Sequence, residues 1–401
     1  MNCNRLIPLN RSVACCATIV VSMAFLLASC ATRSFQPVPR ESVPFQARAE
    51  TKTSGSVTVR AAVPGAEETE AIFGMPLYKR GIQPVWLEVH NQTHGNLRFA
   101  PVALDRAYFS PFEVAYVHRR GVSKQDRAEM ERMYHDMAMP RRIGAGQTRS
   151  GFVFTHLDPG TKGFSIDLFG AGRNDHQFVF FVDVPGFVPD HAEIEFAKLY
   201  APGEFRSYSL EGLRKALAEL PCCATDASGS EIGMPINVVL IGKGEEVLHA
   251  LLRARWHETP RGDNKSSLAA LQYWNGRPPD AVFRLRRGKI GERNELRIWL
   301  TPMSIDGEPV WLAQVTHYLE GFFKWSFLDP DIDDATLYLL QNIWYSQGLA
   351  QHGWVSTGHD VPYAEMRTDF TGERYFTSGY RGVFWLSGAP LSLTEAIKLP
   401  W

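Results

Sequence analysis

The densest chemistry in the sequence lies in FLDPDIDDATLYLLQ, residues 327–341, where Asp329, Asp331, Asp333 and Asp334 fall within six consecutive positions. Alternating aspartates offer oxygen ligands to a hard cation, or a carboxylate pair for acid–base work. His317 lies shortly before them, in VTHYLEG. Together His317, Asp329, Asp331 and Asp333 would make a catalytic metal-hydrolase constellation, with the three aspartates as metal ligands. A calcium loop is excluded, because its sixth position needs glycine and is Asp334, and its twelfth needs glutamate and is Leu340. The simpler reading is the start of a helix: an aspartate N-cap accepts a backbone N–H, and acidic side chains suit the positive end of the helix dipole. Four adjacent carboxylates repel, so Arg293 or Arg297 from a neighbouring strand is expected to neutralise them. A lone histidine on a strand is most simply a hydrogen-bonded structural residue.

Other chemistry-bearing stretches are weaker. RLRRGKIGER clusters Arg284, Arg286, Arg287, Lys289 and Arg293. On a strand, Arg284 and Arg286 share a face that either meets headgroups or guards a sheet edge. Gly242-Lys243-Gly244 before a helix suits a phosphate, but Glu245 and Glu246 oppose an anion there. The binding candidates are Arg293, Arg297, Trp299 and Trp311. There is no G-x-S-x-G elbow, Walker motif or H-E-x-x-H, so serine-hydrolase and zincin chemistry are unsupported and no cofactor is implied. With 42 Lys+Arg against 43 Asp+Glu, nothing pulls the chain toward nucleic acid.

The elements that would position these residues fall into segments. MNCNRLIPLNR carries Arg5 and Arg11, and an uncharged apolar run then extends to Cys30, as in a secretory signal over 1–29. Leu27-Ala28-Ser29-Cys30 resembles the lipobox of bacterial lipoproteins. The resemblance implies cleavage before Cys30 and acylation, palmitate included, of that residue. Two or three acyl chains make such an anchor effectively permanent. Thr32, two residues past the cysteine, is not Asp, which by the same resemblance favours the outer membrane, facing the periplasm. An uncleaved membrane-spanning anchor is the alternative. Residues 30–55 are polar and aperiodic and read as a flexible tether.

Residues 56–186 are mostly β, with PVWLEVHNQ and GFSIDLFG alternating in hydrophobicity and Pro-Gly turns closing apolar runs. These predict an antiparallel β-sandwich, interrupted by a helix capped by Ser123 and lined by Met130, Met133 and Met137. Residues 187–231 read as a helical connector, with Ser209 capping SLEGLRKALAEL. Within it, adjacent Cys222 and Cys223 are read as two buried thiols rather than a strained vicinal disulfide. Residues 232–390 predict an α+β domain, in which Asp306-Gly307 is a hairpin turn and Gly348 ends the helix begun by the acidic stretch. Residues 391–401 remain as a tail. The fold class is thus mixed β and α+β, a β-sandwich followed by an α+β domain.

PINVVLIG, LRIW, DGEPVWLAQ and LDPDID, in that order, resemble the LssY C-terminal-domain family over roughly 232–390. Members carry an H-x-R-x-W segment, a G-x-P-V-W strand and a D-P-D-x-D stretch. This sequence keeps Arg297 and Trp299, Gly307, Pro309, Val310 and Trp311, and Asp329, Pro330, Asp331 and Asp333. Glu295 stands where the histidine would fall, and Ala335 and Thr336 stand where an acidic–basic pair would follow. The resemblance implies lipid or envelope work, since related domains are fused to phosphatidic-acid-phosphatase-like membrane proteins, but it supplies no activity. The expected function is a membrane-tethered envelope lipoprotein acting as a binding or structural module. Its partners would be the membrane, through Cys30, and an envelope protein or lipid. The alternative is a metal-dependent hydrolase of phosphate-bearing envelope lipids or sugars.

Overall fold

A computed structural model describes residues 34–172, 175–260, 272–287, 292–321 and 326–401. The expected signal segment, Cys30 and Lys289 lie outside the described residues. From residue 34 the tether expectation is corrected. Phe35 and Phe45 are buried, and Phe45 packs on Trp86 and Phe152. Burying a phenylalanine contributes about 1.5–3 kcal/mol, enough to hold an otherwise polar segment. Strand β1 (Glu50–Ser54) follows directly.

Strands β2 (Val57–Ala62), β3 (Ile82–Asn91) and β6 (Thr148–His156) continue from β1 as one antiparallel sheet, ordered β1-β2-β3-β6. A second antiparallel sheet has the order β5-β4-β7-β8, from β4 (Leu97–Ala100), β5 (Arg142–Ile143), β7 (Thr161–Phe169) and β8 (His176–Asp183). The period-2 alternation read in the sequence sends Val85, Leu87 and Val89 of one sheet and Phe164, Ile166 and Leu168 of the other into a shared cluster. The opposite face of β3 is covered too. Trp86 lies in a second cluster with residues of α1 (Ala66–Phe73), α2 (Pro111–His118) and α3 (Lys124–Asp136). Helix α3 starts as expected, with Ser123 Oγ accepting from Asp126 N, and buries Met130.

The C-terminal part is built on a ten-stranded mixed sheet. Its elements are β9 (Arg206–Tyr208), α4 (Leu210–Glu219), β10 (Cys223–Thr225), β11 (Ile232–Pro235), β12 (Val238–Ile241), α5 (Gly244–Arg253), β13 (His257–Glu258) and β14 (Ala281–Arg286). There follow β15 (Arg293–Ile305), β16 (Glu308–Glu320), β17 (Ser326–Leu328), α6 (Ile332–Tyr345), β18 (Leu349–Ser356), β19 (Arg367–Thr368), β20 (Arg374–Tyr375), β21 (Tyr380–Leu386) and β22 (Ile397–Lys398). The sheet order is β13-β14-β15-β16-β12-β21-β18-β22, with β17 beside β16 and β9 beside β15. The unbroken run Val238–Ile241 is central and buried on both faces. Val238 and Leu240 face α5 and α6, while Val239 and Ile241 face α4. Asp306 and Gly307 are both left-handed, as a two-residue hairpin turn between β15 and β16 requires.

Two boundaries differ from expectation. The connector contributes β9 to the large sheet and α4 to its core. The tail pairs through β22 with β18 and buries Leu399. In each case apolar residues at the edge of the segment find the sheet face. The chain is mixed α/β with several antiparallel sheets. No helix among the described residues is long and apolar enough to cross a membrane.

Candidate functional site

The acidic stretch is the start of α6. Asp331 is the N-cap and accepts from Asp334 N at 3.1 Å, while Asp329 accepts from Asp331 N at 3.1 Å. Asp333 accepts from Thr377 Oγ1 at 2.7 Å and Ser378 N at 2.8 Å, fastening the helix to the loop before β21. Asp334 is exposed. Burial raises the Asp331 pKa above the usual carboxylate range, with Asp333, Asp334 and Asp329 adding to the push against the hydrogen bond from Asp334 N. His317 Nδ1 is 2.8 Å from Asn294 Oδ1, and burial followed by the Arg287 charge holds its pKa below the imidazole range. His317 and Asp329 are adjacent through the backbone, Asp329 N donating to the His317 carbonyl at 2.8 Å, but their side chains are engaged with different partners. Among the described residues no group of three His, Cys, Asp or Glu side chains is arranged to hold a metal ion.

The expected arginine neutralisation is corrected. Arg297, fully buried, pairs with Glu295 at 2.5 Å and bonds Gln314 Oε1 at 2.9 Å. Arg284 reaches Glu295 at 2.9 Å and Arg293 at 3.5 Å. Glu295 is thus the acceptor for three guanidinium groups. Burial alone would raise its pKa, but Arg297, then Arg284 and Arg293, hold it below the usual range. A strand alternates its faces, which is why Arg293, Glu295 and Arg297 share one side of β15, away from α6. Trp299 and Trp311 are core residues whose indoles donate to Arg277 O and Gly242 O. At the Gly-Lys-Gly turn, Glu246 accepts from Lys243 N and occupies the helix start.

Cys222 and Cys223 are joined, which corrects the reading of two separate thiols. They follow the bend where α4 ends. That bend is held by the buried Arg381, whose guanidinium donates to the carbonyls of Leu217, Pro221 and Ile236. Burial lowers the Arg381 pKa to about 10.

A second collection of converging charge lies at the seam between the second N-terminal sheet and the C-terminal unit. Thr161 N donates to Glu258 at 2.8 Å, His191 bonds the other oxygen at 2.8 Å, and His249 stacks on Phe181 with ring centroids 3.7 Å apart. Beside these contacts opens a cleft of about 510 Å³, lined by Asp105, Asp158, Lys162, Arg255, His257 and Tyr345 among others. Lys162 is buried and bonds Asp158 at 2.6 Å; His257 Nε2 is 3.5 Å from the same carboxylate. Arg255 NH2 lies 3.7 Å from Asp105, which also accepts from His156 N at 2.7 Å. Burial lowers the pKa of both Lys162 and His257, although Asp158 works against it in each case. A cleft between two structural units that gathers perturbed titratable groups is a candidate ligand site, although this one is more polar than most. Sequence reading missed it because its walls come from positions scattered between 102 and 390. A cavity of about 480 Å³ beside α3 is lined mainly by apolar residues, among them Phe99, Phe109, Met139 and Phe152.

These features define the C-terminal unit as a helix-flanked mixed sheet with a buried Arg–Glu centre and an acidic helix cap. Residues 217–380 match the family model described as LssY C-terminus, so the chain carries an LssY C-terminus-like region running from the end of α4 to the start of β21. No curated protein matches the chain.

Proposed function

We propose that the chain is a lipid-anchored protein of the bacterial cell envelope that works as a binding or structural module at the periplasmic face of the outer membrane. Acylated Cys30 attaches it to the membrane, and an envelope protein or lipid is its second partner. The two N-terminal sheets, which share one core, form a β-sandwich ahead of the α+β unit. Phe35 is buried only five positions past Cys30. Residues 31–34 then reach roughly 14 Å at most, so the folded body rests close against the bilayer.

One observation favours binding over hydrolysis: Asp329, Asp331 and Asp333 each accept from donors of the protein itself. Calorimetric titration of the detergent-solubilised full-length chain with Ca²⁺, Mg²⁺, Mn²⁺ and Zn²⁺ tests this. No stoichiometric uptake is expected; a site abolished by Asp331→Asn would overturn this reading. For the anchor, membrane-fractionated wild type should carry metabolically incorporated palmitate and Cys30→Ser should not; palmitate retained in Cys30→Ser would overturn the assignment.

A further inference from the structure

Helices α5 and α6 both end at the seam cleft, and both end in the same way. Trp256 N bonds Leu251 O and Arg255 N bonds Leu252 O, each at 3.0 Å. Gly348 N bonds Ile343 O at 2.9 Å and Gln347 N bonds Trp344 O at 2.8 Å. Each is the paired closure that puts the residue after the C-cap in the left-handed region, normally as glycine. Here those residues are Arg255 and Gln347, both at φ 62°. Gly348, the expected terminator, sits one position later. Among the described residues, the other non-glycines with positive φ are Asn275 and Asp306, types that tolerate it. The two that do not tolerate it line one cleft. Backbone strain of this kind clusters where a side chain is needed for function.

His257 Nδ1 and Arg253 Nε are buried without a hydrogen-bond partner among the described residues, and both residues line the cleft. The charges in the walls oppose each other. Asp105, Asp158, Asp167 and two helix C-termini disfavour an anion; Arg106, Lys162, Arg253 and Arg255 disfavour a cation. A ligand without net charge, rich in donors and acceptors, fits this balance. Tyr345, the last residue of α6, is 69% exposed at the cleft, with its ring stacked beside Trp344. An aromatic ring with a polar tip suits the apolar C–H face of a pyranose, while planar amide, carboxylate and guanidinium groups suit its hydroxyls.

We infer that the seam cleft binds a neutral saccharide, stacked on Tyr345 and hydrogen-bonded by Arg255 and Gln347. The inference deepens the binding-module reading and rests on it. The test is calorimetry of the full-length chain in a zwitterionic detergent without a sugar headgroup. Chitotetraose, cellotetraose and maltotetraose are the probes, with inorganic phosphate and spermidine as charged comparisons. At least one tetrasaccharide should bind with Kd below about 1 mM. Tyr345→Ala, Arg255→Gly and Gln347→Gly should each weaken it at least tenfold, and Tyr345→Phe should retain most of the affinity. Glycine is the residue those two backbone positions favour, so lost binding in the glycine variants is not lost folding. Absence of tetrasaccharide binding, or equal affinity in all variants, would overturn the inference. Phosphate or spermidine binding sensitive to the same variants would overturn the saccharide assignment and keep the cleft as a site. The metal titration and palmitate labelling judge the underlying reading separately.

Discussion

Asp333→Ala removes the acceptor for Thr377 Oγ1 and Ser378 N, the two donors that pin the first turn of α6 to the loop before β21. Hydrogen bonds to a charged group contribute about 1.5–3 kcal/mol when buried. Asp333 is half-buried, so solvent screening brings the pair together to about 2 kcal/mol. Asp331→Ala loses one capping bond, about 1 kcal/mol. Asp331→Asn keeps the cap and relieves repulsion from the neighbouring carboxylates, so it should change stability by less than about 0.5 kcal/mol. Asp334→Ala, on an exposed side chain, should likewise stay within about 0.5 kcal/mol. Urea unfolding of the full-length chain, followed by tryptophan fluorescence and compared as midpoints, gives the ranking. Equal losses at all positions, or full stability in Asp333→Ala, would refute the structural account and return the aspartates to chemistry.

Glu295→Ala leaves Arg297 buried without its partner and should cost about 3–5 kcal/mol; joint replacement by Glu295→Leu and Arg297→Met should recover most of it in the same unfolding assay. Arg255→Gly should raise stability by about 1 kcal/mol, because the left-handed backbone no longer carries a Cβ. Burial raises Asp280 to about 6, against the pull of Arg277 and the Leu300 N–H. Its ionised form therefore costs stability above that pH. The cost is relieved as pH falls through about 6 and is gone below the ordinary 3.8. Wild type should gain on the order of 2 kcal/mol relative to Asp280→Asn between pH 7 and 4; no gain would place the carboxylate in a wetter site than its burial indicates.

Local rules carried much of the fold. Alternation in PVWLEVHNQ, the Ser123 and Ser209 caps, the Asp306-Gly307 turn and the aspartate helix start all follow from nearest neighbours, and the structure keeps each of them. What failed depended on distant partners. Phe35 and Phe45 carry no period, so nothing local tells a tether from a segment packed on Trp86 and Phe152. Arg297 looked like a counter-ion for the aspartates, but its strand face turns it toward Glu295. The seam cleft left one trace in the sequence: two helices end without glycine at the left-handed position. Gly348 masked the second by lying one residue too late.

Arg381 lies one residue beyond the family-matched stretch, yet its guanidinium satisfies carbonyls at Leu217, Pro221 and Ile236. Strand β9 pairs with β15 from the other side of that boundary, and Leu399 seals the core beyond the far end. The unit of sequence relatedness is therefore narrower than the unit of cooperative folding. A fragment trimmed to 217–380 would expose raw core at both cut edges. Excision that keeps residues 206 to 401 preserves every one of these closures.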